Sequence, residues 1–94
     1  MAIIKDIETK SGAIASFWRI GNQKINDLGS GKISITLFYQ GWLNKEAFEN
    51  GKPFIEKRQY TIEGVKNYTG NVYEFYYTEL MKLSEFENAE SDEI

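Results

Sequence analysis

The stretch KISITLFYQGW, residues 32–42, constrains the fold more than any other part of this chain. Ile33, Ile35, Leu37 and Tyr39 occupy every second position, with Ser34, Thr36, Phe38, Gln40 and Trp42 between and after them. A period of two is that of a β-strand with one face in a core. A helix would scatter the same residues around its circumference. A strand alone leaves its backbone amides and carbonyls unpaired, so the neighbouring segments must supply partners.

They read as strands as well. Turn signals divide the chain at TKSG (9–12), LGSGK (28–32), ENGKP (49–53) and NYTGN (67–71). Gly and Asn there supply the positive φ that tight turns need. The first strand is expected from Ile3 to Thr9, and the second from Ala13 towards Asp27. In the second, Trp18 and Ile20 share a face and Ile25 breaks their spacing; a bulge at Gly21 restores it. NKEAFEN reads as a helical turn. Pro53 then opens a fourth strand, Phe54 to about Ile62, at the position where a missing amide hydrogen matters least. The last element is a helix over 71–83, where Val72, Phe75, Tyr76, Leu80 and Leu83 form one apolar stripe. Phe86 can still dock; the residues after it are expected to fray.

The expected fold is therefore α+β: a four-stranded antiparallel β meander with one C-terminal helix packed on one face. Residues 1–86 form one domain, and 87–94 an acidic, frayed tail. The helix should cover the aliphatic face that carries Ile33, Ile35 and Leu37. The opposite face is left with Phe38 and Trp42, joined by Phe17. Unless a loop or a terminal segment covers it, such an aromatic face marks an interaction surface. Phe17, Phe38 and Trp42 are the candidate partner-binding residues.

Composition removes several functions. With no Cys and no His, disulfides, thiolate zinc sites, a Ser-His-Asp triad and His-containing metal sites are all excluded. No cofactor is expected. No apolar run approaches the roughly 18 residues of a membrane span, and no apolar signal core is visible in MAIIKDIETK. Residues 1–69 hold ten Lys/Arg and seven Asp/Glu, a balance of +3; residues 70–94 hold one against seven, a balance of −6.

The remaining motifs are weak. GSGKIS resembles a phosphate loop, but Asn26 stands where its first Gly belongs, Ile33 follows the Lys, and a strand follows instead of a helix. Residues 39–60 mix aromatics with Lys45, Lys52, Lys57 and Arg58, as single-strand nucleic-acid binders do. Glu46, Glu49 and Glu56 offset that charge, and phosphate binding needs net positive potential. The acids lie in turns, on the solvent side of the helix or in the tail. None has the apolar setting of a catalytic general acid, so no enzyme is expected.

The C-terminal piece VYEFYYTELMKLSEFENAESDEI joins an aromatic-rich helix to Leu-x-Glu-Phe and an acidic end. In this it resembles short proteins encoded in bacteriophage and prophage tail regions. SGAIASFWRIGNQKIN and NKEAFENGKPFIEKRQYTI are similar to their second strand and their central segment. The resemblance implies a non-enzymatic virion component or tail-assembly accessory. Its partners would be other phage structural proteins or a second copy, in the virion or in the bacterial host cytoplasm during assembly. The face with Phe38 and Trp42, or the edge of the first or fourth strand, would make the contact. A soluble phage-encoded regulator or anti-host binding protein is the competing class.

Overall fold

A computed structural model describes residues 2–66 and 72–92. It is a small α+β fold built on one antiparallel sheet of five strands in the order β4-β3-β2-β1-β5. The strands are β1 (Ala2–Glu8), β2 (Ile14–Gly29), β3 (Lys32–Trp42), β4 (Glu56–Lys66) and β5 (Glu90–Asp92). A short helix α1 (Lys45–Glu49) links β3 to β4. A longer helix α2 (Val72–Met81) and a 3-10 turn (Ser84–Phe86) lead to β5.

The four-stranded meander is present, with local chemistry at its turns. Ser30 and Gly31 both have positive φ (55° and 75°), as a two-residue type I′ hairpin requires. They set Gly29 opposite Lys32. The expected bulge falls at Gly21, between the Ile20–Tyr39 and Asn22–Phe38 pairs. It places Ile25 opposite Ile35, on the face that Trp18 and Ile20 share. Asn44 caps α1 by accepting the Ala47 amide at 2.7 Å. Gly51, at φ 72°, ends that turn.

Three features depart from the sequence reading. β4 begins at Glu56 instead of Phe54: residues 52–54 have no regular structure and the chain bends at Ile55, whose amide bonds the Gly41 carbonyl at 2.8 Å. A fifth strand lies within the segment expected to fray: Glu90, Ser91 and Asp92 pair with Ile4, Ile3 and Ala2. The docking of Phe86, which is 1% exposed, anchors the chain just before that strand. The turn expected at 67–71 lies outside the described residues.

Two cores flank the sheet. The larger lies between the sheet and α2, where Ile3, Trp18, Ile35 and Leu37 meet Tyr76, Tyr77, Leu80 and Phe86. Tyr77 was not part of the expected helix stripe, but it is buried and its hydroxyl accepts the Ile20 amide at 3.0 Å. That amide lies beyond the Ile3–Trp18 pair. Trp18 lies across Gly41, where a β-carbon would come within 2.7 Å of the indole. Its Nε1 donates to the carbonyls of Lys5 (3.1 Å) and Ala15 (3.2 Å). The smaller core, on the opposite face, consists of Ala2, Phe17 and Trp42 with Ile4 and Phe48.

Candidate interaction site

The smaller core corrects the expectation of an open aromatic face. Phe17 is 0% exposed and Trp42 9%. The helical turn α1 folds back over the sheet and sets Phe48 on both of them, with ring centroids 5.2 Å from Phe17 and 5.0 Å from Trp42. Trp42 also donates its Nε1 hydrogen to the Lys52 carbonyl at 2.9 Å. The three candidate residues are therefore not one surface. Phe17 and Trp42 are 6.4 Å apart inside a core. Phe38 is half-buried, and the Lys57 ammonium stands 5.5 Å from its ring.

The structure instead exposes the outer part of β2. Among the described residues, β1 pairs with Ile14–Trp18 of this 16-residue strand. From Asn22 to Gly29 the pairing is with β3 alone, and positions 21–29 are exposed. Alternate amides and carbonyls on such an edge have no strand partner. Ile25 and Leu28 stand there, 55% and 54% exposed. The edges named from sequence are less open. β5 covers β1 at Ala2–Ile4, and β4 carries Glu56, Lys57, Arg58 and Glu63, charges that discourage edge pairing. Positions 21–29 hold only Lys24 and Asp27.

A cleft of about 540 Å³ opens where this edge begins, between α1 and α2. Its walls include Arg19, Gln40, Phe48, Tyr73 and Tyr77, with Gly21 beside them and no acid in its lining among the described residues. The Arg19 guanidinium lies 4.6 Å from the Phe48 ring centroid. Its Nε is buried with no hydrogen-bond partner. Burial pushes the Tyr77 hydroxyl pKa up, and the amide of Ile20 and the nearby Arg19 pull the other way. Sequence reading singled out neither Arg19 nor Tyr77. The available signal was an arginine two residues before a bulge glycine, in the mostly apolar stretch Ile14–Ile20.

A second polar cluster lies on the far side of the sheet. Arg58 reaches Glu85 at 2.6 Å and Glu56 at 3.3 Å, and its Cζ lies 5.3 Å from the Trp18 ring. Tyr39 donates its hydroxyl hydrogen to Glu85, and the Lys10 amide approaches Glu56 at 3.4 Å. Each carboxylate faces Arg58, so the cluster clamps β4 to the 3-10 turn. Burial pushes the Tyr39 hydroxyl pKa upward, the bond to Glu85 and its charge add to this, and Arg58 opposes it. A pKa raised above the unfolded value of 10.0 stabilises the fold below that pH, and the contribution is lost as pH rises through the folded value. Urea unfolding is therefore expected to show stability falling above about pH 10. Tyr39→Phe should flatten that fall without abolishing it, because burial raises Tyr76 and Tyr77 as well.

Among the described residues, no group of three or more acidic side chains is placed to hold a metal ion, and no helix is long and apolar enough to cross a membrane. Comparison of the chain with protein-family models, curated proteins and solved structures finds no match.

Proposed function

We propose that this chain is a non-enzymatic binding protein that receives a strand of another protein along the outer edge of β2. The resemblance supplies the setting: a phage virion component or tail-assembly accessory, present in the particle or in the host cytoplasm during assembly. The partner is another phage protein or a second copy of this one. The observation that carries the reading is the overhang of β2, whose residues 22–29 pair on one side only and expose Ile25 and Leu28. Strand addition uses backbone hydrogen bonds for affinity and side-chain pockets for selection.

Two measurements test this. Mass spectrometry of washed phage particles should find the chain at a symmetry-related copy number; its absence would remove the virion reading and favour the soluble regulator. Ile25→Lys combined with Leu28→Lys should leave the thermal midpoint within a few degrees of wild type, since both side chains are exposed. The same pair should abolish association in light scattering or in pull-down with the other tail proteins. Association that survives both charges would place the contact elsewhere.

A further inference from the structure

The position of the Arg19 cleft specifies what kind of strand fits the β2 edge. β1 runs antiparallel to β2, with Ile3 opposite Trp18 and Glu8 opposite Ile14. A strand added antiparallel to Asn22–Leu28 runs in the same direction as β1. It starts opposite Leu28 and ends opposite Gly21, so its C-terminal end arrives at the cleft. Gly21 is two positions from Arg19, about 7 Å along a strand, within the span of an arginine side chain. A strand added in parallel would bring its N-terminal end there instead.

The chemistry of the cleft chooses between these directions. Among the described residues, Arg19 is the one cation in the lining, and no carboxylate lines it. The guanidinium gives a hydrogen bond to the Tyr77 hydroxyl, and its buried Nε has no acceptor. Its Cζ lies over the Phe48 ring, which orients the fork, and the hydrogen bond to the Tyr77 hydroxyl leaves the rest of the fork to meet an anion. The Gln40 side chain reaches the Gly21 rim, with its Oε1 3.0 Å from where a β-carbon would stand. Tyr73, half exposed, forms the outer wall. A carboxylate matches a guanidinium fork in two parallel hydrogen bonds, whereas an N-terminal ammonium would be repelled.

We infer that the Arg19 cleft captures the C-terminal carboxylate of a partner chain whose last residues add antiparallel to β2 at Asn22–Leu28. This rests on the strand-addition reading above and names the partner's chemistry: an extended protein end with a free carboxylate.

Two pools of random N-acetylated octapeptides test it against the immobilised full chain, one with free C-terminal carboxylates and one amidated. The free-acid pool should be retained and should slow amide hydrogen exchange at residues 22–28. The amidated pool should bind roughly tenfold or more weakly, the worth of one charge-assisted hydrogen bond. Arg19→Gln should bring the free-acid pool down to the amidated level, and Arg19→Lys should keep part of the difference. Thermal melts of both variants confirm that they remain folded. Equal retention of the two pools, with residues 22–28 protected, overturns the carboxylate inference and leaves strand addition standing. Failure of the free-acid pool to protect residues 22–28 overturns both. A preference for the free acid that survives Arg19→Gln overturns the assignment to Arg19.

Discussion

Trp42→Ser is expected to destabilise the protein by about 3–5 kcal/mol, the range for removing a buried large aromatic side chain. Phe38→Ser, two strand positions from Gln40 on the same β3 face, should cost only about 1 kcal/mol, because Phe38 is half-buried and flanked by Lys57. The contrast follows from α1. Phe48 packs on Trp42 and Phe17, so Trp42→Ser leaves a cavity that a five-residue helical turn must either bridge or abandon. It also leaves the Lys52 carbonyl without the indole hydrogen it accepts. Small domains have a total stability of only about 5–15 kcal/mol, so urea unfolding should separate the two variants clearly. Equal, small losses for both would mean that Trp42 is not core.

The second large effect lies in the main core. Trp18→Ala should cost about 3–5 kcal/mol, since Trp18 is 1% exposed and packs edge-on to Phe86 at 5.9 Å. Gly41→Ala, a change of one methyl group, should cost about 1–3 kcal/mol by overpacking. The new β-carbon would meet three indole atoms at 2.7–2.9 Å, and the indole is held by two hydrogen bonds from its Nε1. The two substitutions should not add. With Trp18→Ala already present, the clash is gone, and Ala in a strand is better than Gly by roughly 0.5–1 kcal/mol. Gly41→Ala should then be neutral or stabilising. A double-mutant cycle measures this, and additive losses would show that the indole does not lie over Gly41.

Much of the sheet was legible because its information is local. Alternation at 33–40 places Ile35 and Leu37 in the core and Ser34 and Thr36 on the other side. Ser30-Gly31 specifies its own hairpin, and Gly21 marks the bulge because a slipped period needs one extra residue. β5 was not legible. Glu90-Ser91-Asp92 has the composition of a solvated end and poor β-propensity. It becomes a strand because Phe86 is held in the core and the edge of β1 supplies backbone partners.

The candidate site shows the same division. Sequence correctly put Phe17, Phe38 and Trp42 on the face opposite α2, because period two leaves no choice of side. It did not show that Phe48 would reach back over two of them. That depends on where α1 lands, and a five-residue turn has too little periodicity to announce its direction. Nor did it show the Arg19 cleft, whose walls come from β2, β3, α1 and α2.

The amino-acid sequence by itself determined four of the five strands, their facing residues, the turns between the first four elements and the absence of His and Cys chemistry, all properties of neighbours along the chain. Only the tertiary structure decided which surface remains open. Exposure depends on the lengths of β1 and β2 relative to each other and on which segments fold over them. The pairing with β1 reaches Trp18, the pairing with β3 runs on to Gly29, and Arg19 stands at that step.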